Sequence, residues 1–119
     1  MTGKAHNKKT EDEAALLAAI AAMPEHDRVV GERLHNIITE NAPELLSRTW
    51  YGMPAYHDGK KIVCFFRSGA KFGERYMTLG FNDVAKLDDG NMWPINFAII
   101  DLSETVEAVL ASIIKKAVR

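Results

Sequence analysis

Three aromatic side chains surround a rigid turn in segment 50–56, whose sequence is Trp-Tyr-Gly-Met-Pro-Ala-Tyr. Glycine and proline restrict the backbone there, and large aromatic rings are costly to leave in water. A basic loop near 69–75 and a turn at 87–93 add cations, an amide and a second indole. Such a combination is typical of a small-molecule pocket. The candidate ligand-binding residues are Trp50, Tyr51, Met53, Tyr56, Lys71, Phe72, Arg75, Tyr76, Asn91 and Trp93.

Two interpretations of this aromatic cluster stay open at the level of sequence. In a pocket, Lys71 and Arg75 would clamp an anionic group of the ligand. In the alternative, Trp50, Tyr51 and Trp93 fill the end of the hydrophobic core and bind nothing. The two interpretations differ in the exposure that they require of the rings.

Carboxylates and a histidine in the first third of the chain indicate a second chemistry, weak binding of a metal ion. Hard cations prefer oxygen ligands, and weak binding allows the ion to be handed over. Glu32 and His35 are three residues apart on one helical face, as in di-iron bundles, although those bundles use two such pairs. Arg28 offers Glu32 an ordinary ion pair instead. The other acids of this region are Glu11, Asp12, Glu13, Glu25, Asp27 and Glu40.

Catalysis has no comparable signal in the sequence. It contains no nucleophile elbow, phosphate-binding loop, dinucleotide fingerprint or His-Glu-x-x-His motif. Cys64 lies between Val63 and Phe65, where a thiol is expected to be a buried small hydrophobe. The segment 88–91 lacks the spacing of a calcium loop. We therefore expect a non-catalytic module that binds a small ligand or a metal ion, with iron as the candidate ion.

Composition limits the class of protein further. The chain has 119 residues, a net charge of −1 and one cysteine. This predicts a single domain at 11–119 behind a flexible basic tail at 1–10, without an internal disulfide. The charge provides no field for nucleic acid or anionic membranes. The longest apolar run, 14–23, is too short to span a bilayer and follows three acids, unlike a signal peptide. We expect a cytoplasmic protein.

Three predicted helices flank a β-rich middle. The first covers 11–22 behind a Thr10–Glu13 capping box, the second covers 24–41, and Ser103 caps the third. Short strands are predicted at 48–51, 55–57, 61–67, 76–80 and 97–101, with a two-residue hairpin at Asp58-Gly59. Because the strands cluster, we expect an α+β fold: an antiparallel sheet of four to five short strands with two N-terminal helices and one C-terminal helix packed on it.

The runs Trp50–Tyr56 and Gly59–Phe66 carry a resemblance to a known family, supported downstream by 71–81 and 87–94. Over roughly residues 12–118 the chain resembles the YdhG-like family of small bacterial proteins. The resemblance implies an α+β fold with an antiparallel sheet. Because some members are described as frataxin-like iron chaperones, it also implies an iron-carrier role as an alternative function.

Self-association is the third class of function that we consider. An exposed edge strand, at 76–80 or at 97–101, would pair with its copy in a homodimer. The sequence does not decide which of the two strands lies at the edge.

Overall fold

The computed structural model describes the backbone of residues 2–119 and the side chains of residues 8–119. Within that part of the chain the elements are α1 Thr2–Ala21, α2 Glu25–Asn41, β1 Leu46–Trp50, β2 Met53–His57, β3 Ile62–Arg67, a 3₁₀ turn Ala70–Phe72, β4 Met77–Phe81, β5 Asn96–Ile99 and α3 Glu104–Ala117. The strands form one antiparallel sheet in the order β1-β2-β3-β4-β5. The predicted α+β fold, with two helices before the sheet and one after it, is confirmed.

The sheet is a meander in which each strand pairs with its neighbours in sequence. Successive strands therefore run in opposite directions, and the connections alternate between the two ends of the sheet. The β1–β2 turn and the β3–β4 loop lie at one end. The β2–β3 loop and the β4–β5 connection lie at the other. This alternation decides which candidate residues can meet.

One face of the sheet forms the hydrophobic core with the three helices. The strand residues on this face are Tyr56, Cys64, Phe66, Met77, Leu79 and Phe81, each at most 1% exposed. They follow the two-residue alternation of paired strands, since Tyr56 lies opposite Cys64 and Phe66 opposite Leu79. The helices add apolar side chains that include Leu34 and Ile114. Burial of these side chains is the main stabilising term of the fold.

The opposite face carries a smaller aromatic contact. Ala55, Phe65 and Gly80 follow one another across β2, β3 and β4 on this face. Trp50 packs on Phe65 with ring centroids 5.2 Å apart. A Cβ at Gly80 would lie 2.4 Å from Phe65 Cζ, so only glycine leaves room for this ring.

Several boundaries differ from the sequence-based predictions. Helix α1 begins at Thr2, so the Thr10–Glu13 pattern lies inside the helix and the predicted start at 11 is wrong. Met1 and the side chains of residues 2–7 lie outside the described residues, and the flexible tail at 1–10 stays a prediction. The predicted cap of α3 is confirmed, because Ser103 Oγ accepts a hydrogen bond from Val106 N at 3.2 Å. Within residues 2–119, none of the helices combines the length and the apolar character that crossing a membrane requires.

The two-residue hairpin occurs at Tyr51-Gly52 and not at Asp58-Gly59. Trp50 pairs directly with Met53, and the two residues between them have φ of 51° and 77°. At the other turn His57 pairs with Ile62, because the Asp58 carboxylate accepts hydrogen bonds from Lys60 N and Lys61 N and holds a longer loop.

Tyr51 is the one residue other than glycine with positive φ among those that the structure describes. A pair of left-handed residues is the geometry of a type I′ turn, which favours Asn-Gly. A tyrosine there strains the backbone, since its Cβ crowds the following carbonyl. The ring gains little burial in return, because 86% of the residue is exposed.

We expect Tyr51→Asn to raise the free energy of unfolding by about 1 kcal/mol, because asparagine tolerates left-handed backbone at lower cost. Urea denaturation compares the variant with the wild type. Tyr51→Ala is the matched control, since it removes the ring but keeps a strained Cβ. If the asparagine variant is no more stable than the alanine variant, backbone strain at this turn is refuted.

Candidate functional site

The ten candidate ligand-binding residues, which as one pocket would form a single binding wall, do not come together but are divided between the two ends of the sheet. One groove is lined by Tyr51 of the β1–β2 turn, Met53 at the start of β2, and Lys71 and Phe72 of the β3–β4 loop. Asn91 and Trp93 belong to the β4–β5 connection and line a separate cleft. The single continuous wall expected from the sequence is therefore not present.

The other four candidates have different surroundings. Tyr56 is a core residue, 1% exposed. Trp50 is half-buried against Phe65 on the open face of the sheet. Arg75 lies over the ring of Tyr76 with its guanidinium carbon 5.5 Å from the ring centroid. Neither Arg75 nor Tyr76 lines the groove or the cleft defined below.

The Tyr51 groove is an open depression of about 70 Å³ between the end of α1 and the end of the sheet that carries the β1–β2 turn and the β3–β4 loop. Tyr51 and Phe72 contribute exposed aromatic rings, and Arg67 and Lys71 contribute cations. The remaining lining is largely apolar and consists of Ala19, Ala22, Met23, Gly52, Met53, Pro54, Phe66 and Ser68.

A buried carboxylate fixes the loop that forms one side of this groove. Asp27 in α2 is 6% exposed. Its Oδ2 accepts hydrogen bonds from Ser68 Oγ at 2.6 Å, Gly69 N at 3.0 Å and Ala70 N at 3.0 Å. A buried charge is tolerated when hydrogen bonds of this kind replace its hydration. Asp27 thereby attaches the β3–β4 loop to the helix layer.

The same set of donors controls the pKa of Asp27. Burial raises this pKa, but hydrogen bonds from Ser68, Ala70 and Gly69, with a smaller contribution from the charge of His26, outweigh burial. The net result is a pKa below the usual 3.8. The carboxylate is therefore ionised in the folded protein at neutral pH, and its charge favours the folded state.

Glycine is required where this loop leaves β3. A Cβ at Gly69 would lie 1.9 Å from the carbonyl oxygen of Tyr76. The Gly69 carbonyl accepts hydrogen bonds from Phe72 N and Glu74 N, both at 2.9 Å, which closes the 3₁₀ turn. The backbone that carries Lys71 and Phe72 is thus held at both ends.

The Trp93 cleft is a cavity of about 460 Å³ at the opposite end of the sheet, which carries the β4–β5 connection. Its lining residues are Phe81, Asn82, Asp83, Ala85, Asn91, Met92, Trp93 and Ile95. The end of β4 forms one side, where Phe81 N donates to Ile95 O at 2.8 Å. A turn at Gly90, with φ of 69°, directs the chain back along the other side. Asn91 and Trp93 are candidates predicted from the sequence, whereas Asn82 and Asp83, which follow β4 directly, were not predicted.

The chemistry of the Trp93 cleft is aromatic and acidic. Trp93 is half-buried and packs against the hydrophobic core. Asp83 is the ionisable residue among the lining residues, and Asn82 and Asn91 add amide groups. An exposed carboxylate beside an indole attracts cations, because the carboxylate supplies charge and the indole face is negatively polarised. The anionic ligand expected from the sequence is therefore unsuited to this cleft.

Glu32 and His35, the metal candidates, line a third cavity of about 330 Å³ together with Leu17, Ile20, Ala21 and Asn36. Glu32 Oε1 lies 3.5 Å from Arg28 Nη1, the ion pair that sequence spacing offered as the alternative. Asp27, one of the other acids of this region, is buried. Within the described part of the chain, no three His, Cys, Asp or Glu side chains converge as a metal site requires. Iron binding by this pair stays a prediction.

The histidine of this pair is tied to the core. His35 Nδ1 and the Tyr56 hydroxyl share a hydrogen bond of 2.8 Å. Burial lowers the pKa of His35, opposed by the charge of Glu13, so the imidazole is neutral at pH 7. Burial also raises the pKa of Tyr56, which keeps its hydroxyl protonated.

Cys64 is buried as expected from its position in β3. Burial raises the pKa of its thiol to about 12, so the reactive thiolate is absent at neutral pH. This agrees with its interpretation as a small hydrophobic side chain.

Comparisons with known proteins give no match: no family model, no curated protein and no solved structure matches the chain. The relation to the YdhG-like family therefore stays a prediction from the sequence motifs.

We expect Asp27→Ala to lower the free energy of unfolding by about 3 kcal/mol at pH 7, because it leaves buried donors of Ser68, Gly69 and Ala70 without their acceptor. Asp27→Asn keeps an acceptor oxygen but no charge and is expected to cost about half as much. Asp89→Asn, at an exposed turn, is the control and should have no effect.

The pH dependence gives the sign of the Asp27 contribution. Because the folded pKa lies below 3.8, the stabilisation is complete above the unfolded pKa and is lost as pH falls through the folded pKa. The stability difference between wild type and Asp27→Asn should therefore shrink between pH 5 and the acid limit of folding. A difference that stays constant over that range would show that the Asp27 charge is not the stabilising group.

Proposed function

We propose that the protein is a cytoplasmic, non-catalytic module that binds a small organic amine in the Trp93 cleft. The observation that carries this proposal is the size of the cleft, about 460 Å³, combined with an indole and a carboxylate in its lining. Sites for small organic ligands have about 300–1,000 Å³, mostly apolar walls and a few convergent polar groups.

The charge of the lining supports a cationic ligand over an anionic one. Asp83 would pair with an ammonium group, and the amide oxygens of Asn82 and Asn91 can accept its remaining hydrogen bonds. Trp93 and Met92 would contact the apolar body of the ligand. Met92 is 87% exposed, and a flexible thioether at the rim adapts to ligands of different shape. A carboxylate ligand would meet Asp83 with like charge.

A matched pair of probes tests the proposal: 3-phenylpropylamine and 3-phenyl-1-propanol share one apolar body, but only the amine is charged, so the amine should bind more tightly. Isothermal titration should show that the amine binds. Asp83→Asn should lower the affinity for the amine by about 2–5-fold, the contribution expected of one partly exposed ion pair. Trp93→Leu keeps an apolar side chain but removes the cation–π contact and should weaken the amine by about 5–30-fold.

Asp89→Asn is the control for general electrostatic attraction, because Asp89 is exposed in the same connection but does not line the cleft. It should leave the affinity for the amine unchanged. Equal loss in Asp83→Asn and Asp89→Asn, or an amine that does not bind, would refute the proposal.

Self-association through β5 is the second candidate function. Of the two strands considered from the sequence, β4 lies inside the sheet and β5 at its edge. Ile95 and Ile100, which flank β5, are 45% and 59% exposed. Edge pairing with a second copy would cover them.

Sedimentation equilibrium tests this second candidate. A dimer is expected in the wild type, and Ile100→Lys, which places a charge at the edge, should shift the protein to monomer. Glu104→Lys, at an exposed position in the first turn of α3, is the control for added positive charge and should leave the dimer intact. A wild-type protein that is monomeric at about millimolar concentration would exclude the β5 pairing.

A further inference from the structure

The Tyr51 groove lies at the opposite end of the sheet from the Trp93 cleft. It carries exposed aromatic side chains that contribute little to the stability of the fold. Tyr51 is 86% exposed and Phe72 is 55% exposed. Large rings are usually buried more deeply than this. Both rings line the same groove.

Tyr51 is held in place at a cost to the backbone. It occupies a left-handed position of a turn in which asparagine would be unstrained. Trp50 orients the tyrosine ring through an edge-to-face contact with centroids 5.0 Å apart. A strained residue whose side chain is positioned yet exposed points to a role for that side chain outside the fold.

Cations accompany the two rings in the groove. Arg67 places its guanidinium carbon 4.6 Å from the Phe72 ring centroid and forms an ion pair with Glu74, so its charge is compensated. Lys71 Nζ lies 5.8 Å from the same ring centroid. None of the ion pairs found among the described residues includes Lys71. Lys71 is therefore the cation available to a ligand.

The loop that carries Lys71 is organised before any ligand arrives. Lys71 N donates to Ser68 Oγ at 3.3 Å, and the same hydroxyl donates to the buried Asp27 carboxylate. Preorganisation of this kind reduces the entropy lost when a ligand binds. The dimensions of the groove limit that ligand, since about 70 Å³ is well below the size of a site for an extended molecule and an open groove of this volume can enclose only part of a single ring.

We infer that the Tyr51 groove is a second binding site, which takes a small monocyclic aromatic anion. The aromatic ring of the ligand lies against Tyr51 and the apolar floor formed by Met53 and Pro54. Its carboxylate or phosphate group pairs with the Lys71 ammonium. This site differs from the Trp93 cleft in its position on the sheet and in the sign of its charge.

Three probes separate the contributions of ring and charge. Benzoate carries both the aromatic ring and the anion, cyclohexanecarboxylate carries the anion on a saturated ring, and benzyl alcohol carries the ring without charge. Isothermal titration of the wild-type protein should give binding of benzoate at least about 5-fold tighter than that of either other probe. Affinity should fall as salt is added, since the ion pair is exposed.

Variants of Tyr51 test the role of the ring. Tyr51→Asn should raise the melting temperature of the protein and at the same time lower its affinity for benzoate by about 10-fold or more. Tyr51→Phe is the matched control, which keeps the ring and should keep the affinity. A variant that is more stable than wild type but binds less cannot be explained by loss of folding.

Variants of lysine test the role of the charge. Lys71→Met keeps the aliphatic stem and should weaken benzoate by about 5-fold, whereas Lys60→Met, at the opposite end of the sheet, should have no effect. Absence of benzoate binding at about 1 mM, equal binding of the saturated acid, or full affinity in Tyr51→Asn would each overturn the inference.

Discussion

The hydrogen bonds accepted by the buried Asp27 carboxylate are the interaction on which the β3–β4 loop and the Tyr51 groove depend. The carboxylate joins α2 to the β3–β4 loop through one side chain and two backbone donors. Hydrophobic contacts alone would not fix that loop, because its residues from 70 to 75 are exposed. A charged acceptor with three donors is both strong and directional. The positions of Lys71 and Phe72 in the Tyr51 groove follow from it.

Charge separates the two candidate sites of this protein. The lining of the Trp93 cleft includes a carboxylate and an indole, and the lining of the Tyr51 groove includes an ammonium, a guanidinium and two exposed aromatic rings. In each proposed site an aromatic ring would supply apolar contact and a charged group would supply selectivity, as in many small-ligand sites. With a net charge of −1, the protein as a whole favours neither class of ligand, so the local groups decide.

The sequence predicts the fold well because its signals are local. The apolar stripe and Ser103 cap define α3, and the apolar run at 62–66 correctly indicates the central strand. The burial of Asp27 was not predicted. A signal was available, however, because Asp27 precedes Val30, Gly31 and Leu34 by three, four and seven residues and so shares their buried face.

The division of the binding wall is a tertiary property. Phe72 and Trp93 belong to successive connections of an antiparallel meander, which must lie at opposite ends of the sheet. The sequence-based prediction of one binding wall did not take this alternation into account. The turn at Tyr51 could not be predicted for a different reason. A tyrosine in the first position of a type I′ turn violates the preference for Asn, Asp or Gly by which such turns are recognised in a sequence. Asp58-Gly59 obeys that preference and yet forms a longer loop, because the Asp58 carboxylate binds amides on the far side of the turn.

Amide hydrogen exchange at Gly69 and Ala70 tests the central role of Asp27 most directly. Both amides donate to the buried carboxylate, whereas the Lys60 amide donates to the exposed carboxylate of Asp58 and serves as an internal reference. If Asp27 anchors the loop, Gly69 and Ala70 exchange as slowly as the amides of β3, and Lys60 exchanges much faster. Exchange of Gly69 and Ala70 at the rate of Lys60 would show that the loop opens independently of the core and would contradict the account.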